Sequence, residues 1–232
     1  KNKDIPEGGA KGTILLNPDA QAKTKEAFTH YVDALLDCML PDRAGIHCPN
    51  PDILFFGPDE NTADLMEVGA SHARSRGYPL WKSLTTGKPP TQGGIPHDVY
   101  GMTTLGVHTF KLGLLQMLGK REEEMTKVQT GGPDGDLGSN EIKISKDRTI
   151  AVVDGSGVAY DPAGLDRAEL LSLAERRIPI GNFDPLKLKA GGFLVRVGDS
   201  NVTLPDGTVV QRGDLFRDSF HLSVYATADL FV

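Results

Sequence analysis

An α/β fold with a largely parallel sheet is what this 232-residue sequence predicts, on three observations. Short apolar runs of four or five residues alternate along the chain with longer stretches in which apolar side chains recur every three to four positions. Glycine is in excess, 27 residues against a usual ~7%. Those glycines are clustered, mostly between a predicted strand and a predicted helix, where close backbone approach and tight turns are needed.

Taken in order, residues 1–12 are polar and glycine-rich. Residues 13–16 (ThrIleLeuLeu) are an apolar run stopped by Asn17-Pro18, the pattern of a buried strand and a turn. From 25 to 40, Phe28, Tyr31, Val32, Leu35, Leu36 and Met39 keep helical spacing, so an amphipathic helix is predicted, ended by Pro41. Cys38 lies on it, expected as a small core filler. Residues 53–56 read as a strand leading into Gly57-Pro58-Asp59, and 62–76 as a helix with Asn61 or Thr62 as N-cap and Gly77 at its end. Residues 85–101 hold four glycines and three prolines and read as a loop. A helix over 103–118 follows. Its leucines and Phe110 cover most of its surface, which predicts packing on two sides. The acidic run 122–124 reads as a solvated face. Strand 127–130, a glycine-rich turn and a helix start come next, then strand 149–153 ending at Asp154 and helix 166–177. Strand 192–197, a hairpin over 202–210 with Asp206-Gly207 at its turn, and a last strand at 228–232 complete the chain.

Composition excludes several classes. With 25 basic against 31 acidic side chains the net charge is −6, and no Lys/Arg stripe exists to neutralise phosphates, so a nucleic-acid partner is not expected. No apolar run approaches the 18 or more residues of a membrane span, so no membrane partner is expected either. Cys38 and Cys48 are too few for a disulfide framework, and an intracellular, reducing compartment is expected, cytoplasm or mitochondrial matrix. None of the six histidines pairs with another at ligand spacing, so no metal is indicated.

The glycine clusters carry the chemistry. Gly132, Gly135 and Gly138 sit between a strand and a helix start, where backbone N–H groups cradle a pyrophosphate. Asp154, about twenty residues on at the end of the next strand, stands where a carboxylate accepts from an adenosine ribose and repels a 2′-phosphate, which favours NAD over NADP. Asp134 and Asp136 oppose this, since carboxylates repel a pyrophosphate, unless they cap the helix. In Gly8-Gly9-Ala10-Lys11-Gly12 a lysine stands among small residues, where desolvation lowers an ammonium pKa and suits it to acid–base or electrostatic work; a surface lysine in a flexible segment is the bland alternative. Asp59, after Pro58, is presented from the C-terminal end of a strand; a turn aspartate has the same pattern.

Together these stretches resemble the glutamate/leucine/phenylalanine/valine dehydrogenases. The segment from Ile5 through Lys11-Gly12 to Asn17-Pro18 is similar to that family's catalytic-lysine signature, and Pro58-Asp59-Glu60-Asn61-Thr62 to its proton-transfer aspartate motif. Thr86-Gly87-Lys88-Pro89, Gly93-Gly94 and Thr103-Thr104-Leu105-Gly106-Val107 resemble the approach to its dinucleotide domain. AspGlySerGly at 154–157 and TyrAspProAlaGlyLeuAsp at 160–166 continue the match. The wording at 93–104 and 128–142 is most similar to the large NAD-specific, glutamate-acting branch.

The resemblance implies that residues 1–100 are the C-terminal part of a substrate domain and 101–232 the N-terminal part of a Rossmann-type dinucleotide-binding domain. It implies Lys11 and Asp59 as catalytic residues, with Gly9 and Pro58 beside the substrate. Thr103 would position the nicotinamide, and Gly132, Gly135, Asp136, Leu137, Gly138 and Asp154 would hold NAD. The reaction implied is reversible oxidative deamination of L-glutamate to 2-oxoglutarate and ammonium, by a homo-oligomer. Four features depart from the pattern: Thr13 at a position usually Gly or Val, an extra residue in the dinucleotide loop, a longer 93–94 loop with His97-Asp98 where Arg is common, and no match to the family's further upstream and downstream motifs. The last predicts a piece of a longer polypeptide. A leucine-, phenylalanine- or valine-type enzyme, and a non-catalytic sensing module on the same fold, are the alternatives.

Overall fold

A computed structural model describes residues 12–40, 64–85, 89–97 and 99–232. The chain divides into two units, Lys1–Pro96 and His97–Val232.

In the first unit, α1 (Thr24–Met39) and α2 (Leu65–Ser75) pack together. Phe28, Val32 and Leu36, four residues apart, form the buried stripe of α1. They meet Leu65 and Ala73 of α2, with Tyr78 and Leu84. Asp33 of α1 accepts from His72 at 2.7 Å and from Arg76, while Asp37 accepts from Arg76 at 2.5 Å. The expected cap at Gly77 is present: Gly77 is left-handed, and Tyr78 N–H closes the helix on Ala73 O at 3.0 Å.

Two expectations fail here. Residues 13–16 form no strand, and Leu15 is 90% exposed, because an apolar run becomes a strand only beside a neighbour that takes its backbone hydrogen bonds. Cys38 is exposed rather than core-filling, being off the Phe28–Val32–Leu36 stripe. The predicted strand at 53–56, and Asn61 and Thr62 as caps, lie outside the described residues.

The second unit is built on a five-stranded sheet of β1 (Thr126–Thr130), β2 (Arg148–Asp154), β3 (Gly157–Tyr160), β4 (Phe193–Arg196) and a terminal strand, Leu230–Phe231, in spatial order β4-β3-β2-β1-terminal. β1 runs parallel to β2 and to the terminal strand, as expected. β3 and β4 extend the sheet antiparallel, since the two-residue turn after Asp154 returns the chain directly beside β2. To the same unit belong α3 (Met102–Met117), α4 (Asp136–Ile144) and α5 (Arg167–Arg176). The predicted hairpin is β5 (Ser200–Thr203) with β6 (Val209–Arg212), followed by α6 (Gly213–Ser219); the terminal strand is β7.

Two apolar clusters hold this unit. One gathers Val128, Ile150, Val158, Phe193, Val195, Leu204, Val210 and Phe220, extended by Tyr160, Phe216 and Tyr225, with Phe193 and Tyr225 edge-to-face at 5.0 Å. The other joins Ile142 of α4 to Val152, Ala159, Leu170, Leu173, Ala174, Ile180 and Phe183. No helix among the described residues is long and apolar enough to cross a membrane.

Candidate functional site

β1 and β2 lie side by side and parallel, so both present their C-terminal ends at one edge of the sheet. From β1 the chain turns at Gly131, whose φ of +103° only glycine adopts readily. Gly131 N–H donates to Val153 O of β2 at 2.9 Å. A Cβ on Gly138, in the first turn of α4, would fall onto the carbonyl oxygens of Gly131 and Gly132, so helix and turn touch only because glycine is there. A Cβ on Gly132 would strike the Asp154 carboxylate. Gly135 is different: its nearest such contact is an ordinary 3.6 Å and its φ is −79°, so sterics do not demand glycine.

Gly135 is the N-cap of α4, and no side chain caps that end. The first N–H groups of a helix have no partner within it, and here they open toward the turn. Gln129, 1% exposed, donates Nε2–H to Gly131 O at 2.9 Å and Gly138 O at 3.1 Å, stapling the two sides of the turn. α3 joins the same place: Thr104 Oγ1 donates to Leu137 O at 3.2 Å, and Thr103 beside it is exposed.

Asp154 stands at the end of β2, 9% exposed, beside Gly132. Its carboxylate is already engaged: Oδ1 accepts from Ser156 N at 2.7 Å and Ser156 Oγ at 2.5 Å, and Oδ2 from Ile180 N at 2.7 Å. Of the two acidic residues that opposed a pyrophosphate, Asp134 has its carboxyl pushed above the usual range by burial and by the charge of Asp154. Asp136 accepts from Arg177 Nη1 at 2.7 Å, and the same nitrogen reaches Asp134 O at 3.4 Å.

This arrangement fits a dinucleotide: a glycine turn between parallel strands, an uncapped helix N-terminus, and a carboxylate at the next strand's end. The profile of the glutamate/leucine/phenylalanine/valine dehydrogenases matches residues 93–207. The likeness is to that family, whose profile covers just under half of the chain.

Among relatives in this dehydrogenase family, glutamate dehydrogenase 2 of Dictyostelium discoideum is 55% identical over 100% of this chain and 22% of its own length. The NAD-specific glutamate dehydrogenase of Neurospora crassa is 52% identical over 100% of this chain and 23% of its own length. The chain thus spans about a fifth of the curated relatives it matches. A solved structure of Plasmodium falciparum glutamate dehydrogenase 2 aligns at TM-score 0.50 and 15% identity over 79% of this chain and 40% of that one, a likeness of fold alone.

Of the residues that the family resemblance singled out, Thr103, Gly132, Gly135, Asp136, Leu137, Gly138 and Asp154 come together around α4 and its turn. Lys11, Asp59, Gly9 and Pro58 lie outside the described residues.

Behind the turn lies a feature that sequence reasoning missed. Lys111 of α3, Lys127 of β1, Glu122, Glu141 of α4, Asp147 and His108 form one buried ionic cluster. Glu141 Oε1 accepts from Lys111 at 2.7 Å and Lys127 at 3.2 Å, and its Oε2 faces His108 Nδ1 at 3.2 Å. Lys111 also pairs with Glu122 at 2.9 Å, and both lysines reach Asp147, at 3.3 and 3.2 Å. Burial works against both charges, but the hydrogen bonds that Lys111 donates to Glu141 and Glu122 leave it raised. The charge of Lys127 and the hydrogen bond from Lys111 likewise leave Glu141 lowered despite its burial. Glu122 therefore belongs to the interior and not to a solvated acidic face. His108, Glu122 and Glu141 could present three ligand atoms within 4.8 Å of one another, a grouping invisible to linear spacing because three separate segments supply it. Lys111 already lies on two of the three, Glu122 and Glu141. The available signal was a row of polar residues, Thr104, His108 and Lys111, at helical spacing on one side of α3.

Proposed function

We propose that this chain is the part of an NAD-dependent glutamate dehydrogenase in which the end of the substrate domain (1–100) meets the start of the Rossmann-type dinucleotide domain (101–232). The observation that carries the reading is the uncapped first turn of α4, set against two glycines that leave no room for a Cβ, with Asp154 at the end of the next strand. The names of the relatives supply the substrate and the preference for NAD.

In this reading the N–H groups of Asp136, Leu137 and Gly138 take the pyrophosphate, with Gly132 and Gly135 giving close access. Asp154 accepts from the adenosine ribose through its remaining lone pairs and disfavours a 2′-phosphate. Thr103, exposed at the start of α3, positions the nicotinamide carboxamide. NAD, when bound, accepts the hydride from the substrate Cα. Lys11 polarises the carbonyl or carbinolamine oxygen and activates water, and Asp59 carries protons to and from the amino nitrogen, with Gly9 and Pro58 beside the substrate. L-glutamate, NAD and water give 2-oxoglutarate, ammonium, NADH and a proton. The working enzyme is a homo-oligomer in the cytoplasm or mitochondrial matrix.

The test is NAD reduction by the full-length protein with glutamate, leucine, phenylalanine and valine in turn. Glutamate alone should support turnover, and Lys11→Ala should lower kcat by at least about 10²-fold while NADH binding persists. Turnover with none of the four would favour a sensing module, and an unimpaired Lys11→Ala enzyme would remove the lysine's catalytic role.

A further inference from the structure

We propose that Glu141 is a positioning residue for the dinucleotide site, tying the helix that receives the pyrophosphate to the helix that carries Thr103 and to the strand that feeds the glycine turn. The inference rests on the dinucleotide reading of that turn. Glu141 lies on α4, five residues beyond Asp136, so it is about 7.5 Å along the helix axis from the phosphate-facing end. Its two oxygens meet three partners on two other elements: Lys111 and His108 of α3, and Lys127 of β1.

The nature of the α3–α4 seam makes this tie decisive. The residues of α3 that are buried are Thr104, His108, Lys111 and Leu115, one row along the helix. The first contacts Leu137, one turn nearer the glycine loop, and the next two contact Glu141. Apolar contacts are non-directional and tolerate a small slide of one helix on another. Hydrogen-bonded ion pairs do not, since they weaken steeply with distance and angle. On α3 the apolar residues Leu105, Phe110, Leu114 and Met117 are exposed. The polar contacts that set the axial position and rotation of α4 against α3 are therefore Thr104–Leu137 and the two bonds from α3 to Glu141, with Lys127 adding a third from β1. The reading gives the pyrophosphate to the N–H groups of α4 and the nicotinamide to Thr103 of α3. A shift of about 1 Å in this seam would thus misplace the two ends of one ligand relative to each other.

The experiment uses the full-length enzyme with Glu141→Gln, which keeps the size of the side chain and removes its charge, and Glu141→Asp, which keeps the charge and withdraws it by one methylene. Glu141→Gln is expected to raise KM for NAD and Kd for NADH about tenfold, leaving KM for glutamate within twofold. Glu141→Asp should change the same constants in the same direction, about threefold. An unchanged NADH affinity in Glu141→Asp, or an equal rise in both KM values, overturns the proposal, the second because it marks a general loss of structure. A wild-type enzyme that does not bind NADH saturably would instead fell the dinucleotide reading, and this inference with it.

Discussion

The two sides of α4 are held by opposite means. Toward α5, Ile142 packs into a wholly apolar cluster with Leu170, Leu173, Ala174, Ile180 and Phe183. Toward α3 and β1, Glu141, its neighbour in sequence, enters a buried set of six ionisable groups. The apolar side gains free energy from every buried methylene and accepts modest changes of shape. The ionic side gains little net free energy, because desolvating its charges offsets their attraction, yet it allows one geometry only. The difference teaches a division of labour: α5 keeps α4 folded against the sheet, and α3 with β1 keep it in register.

The largest effect should come from breaking the ionic side. Lys127 is fully buried on β1 between Glu141 and Asp147. Lys127→Met leaves two buried carboxylates short of a partner, and about 3–5 kcal/mol of stability should be lost at neutral pH by denaturant titration. The pH dependence checks the cause. Glu141 is held below the ordinary carboxylate range, so its contribution to wild-type stability is present above about pH 4.3 and is lost as pH falls through its lowered value. Without Lys127, burial weighs more heavily and Glu141 takes up a proton more readily. The stability gap between variant and wild type should therefore narrow in acid. A gap independent of pH would mean that Lys127 matters through packing.

On the apolar side the comparable change is Leu173→Ala. Leu173 is 1% exposed and central to the cluster under α5, so a cavity costing about 3 kcal/mol is expected, with no dependence on pH. If α5 supplies stability and not register, NADH affinity measured at a temperature where the variant is fully folded should stay within twofold of wild type. A tenfold loss would erase the distinction between the two sides.

How much of this was legible in the sequence follows from which interactions leave a local trace. α1, the β1–α4–β2 passage and the β5–β6 hairpin were readable because period and turn residues lie within one short window. The glycines at 132 and 138 were readable as a cluster, although only the structure separates them, which steric contact requires, from Gly135, which it does not. α3 reversed its apparent pattern: its abundant leucines suggested two packed sides, but its polar row is the buried one. Which face of a helix finds a partner is decided by residues distant in sequence, here Glu122, Lys127, Glu141 and Asp147. Asp154 was found for its position on β2, and its bonds to Ser156 are local to the turn that follows, while its bond to Ile180 depended on a loop after α5 that no spacing rule brings there.

The smallest expected effect concerns the N-terminal end of α4, which no side chain caps. α5 is capped by its own sequence, Asp166 accepting from Glu169 N at 2.8 Å. α4 has Gly135 at the same position, in an extended conformation that any residue can adopt, with its nearest Cβ contact at 3.6 Å. Gly135→Ser therefore fits without strain and offers a hydroxyl to the first-turn N–H groups. As a change in the folded state alone, it should stabilise the protein by a few tenths of a kcal/mol, the usual difference between serine and glycine at an N-cap. If those N–H groups receive a pyrophosphate, the same hydroxyl competes with it, and NADH binding should weaken as thermal stability rises. Opposite signs in the two measurements would show that the helix is left uncapped for its ligand. Stabilisation with unchanged NADH affinity would place the phosphates elsewhere and leave Gly135 a residue of the turn alone.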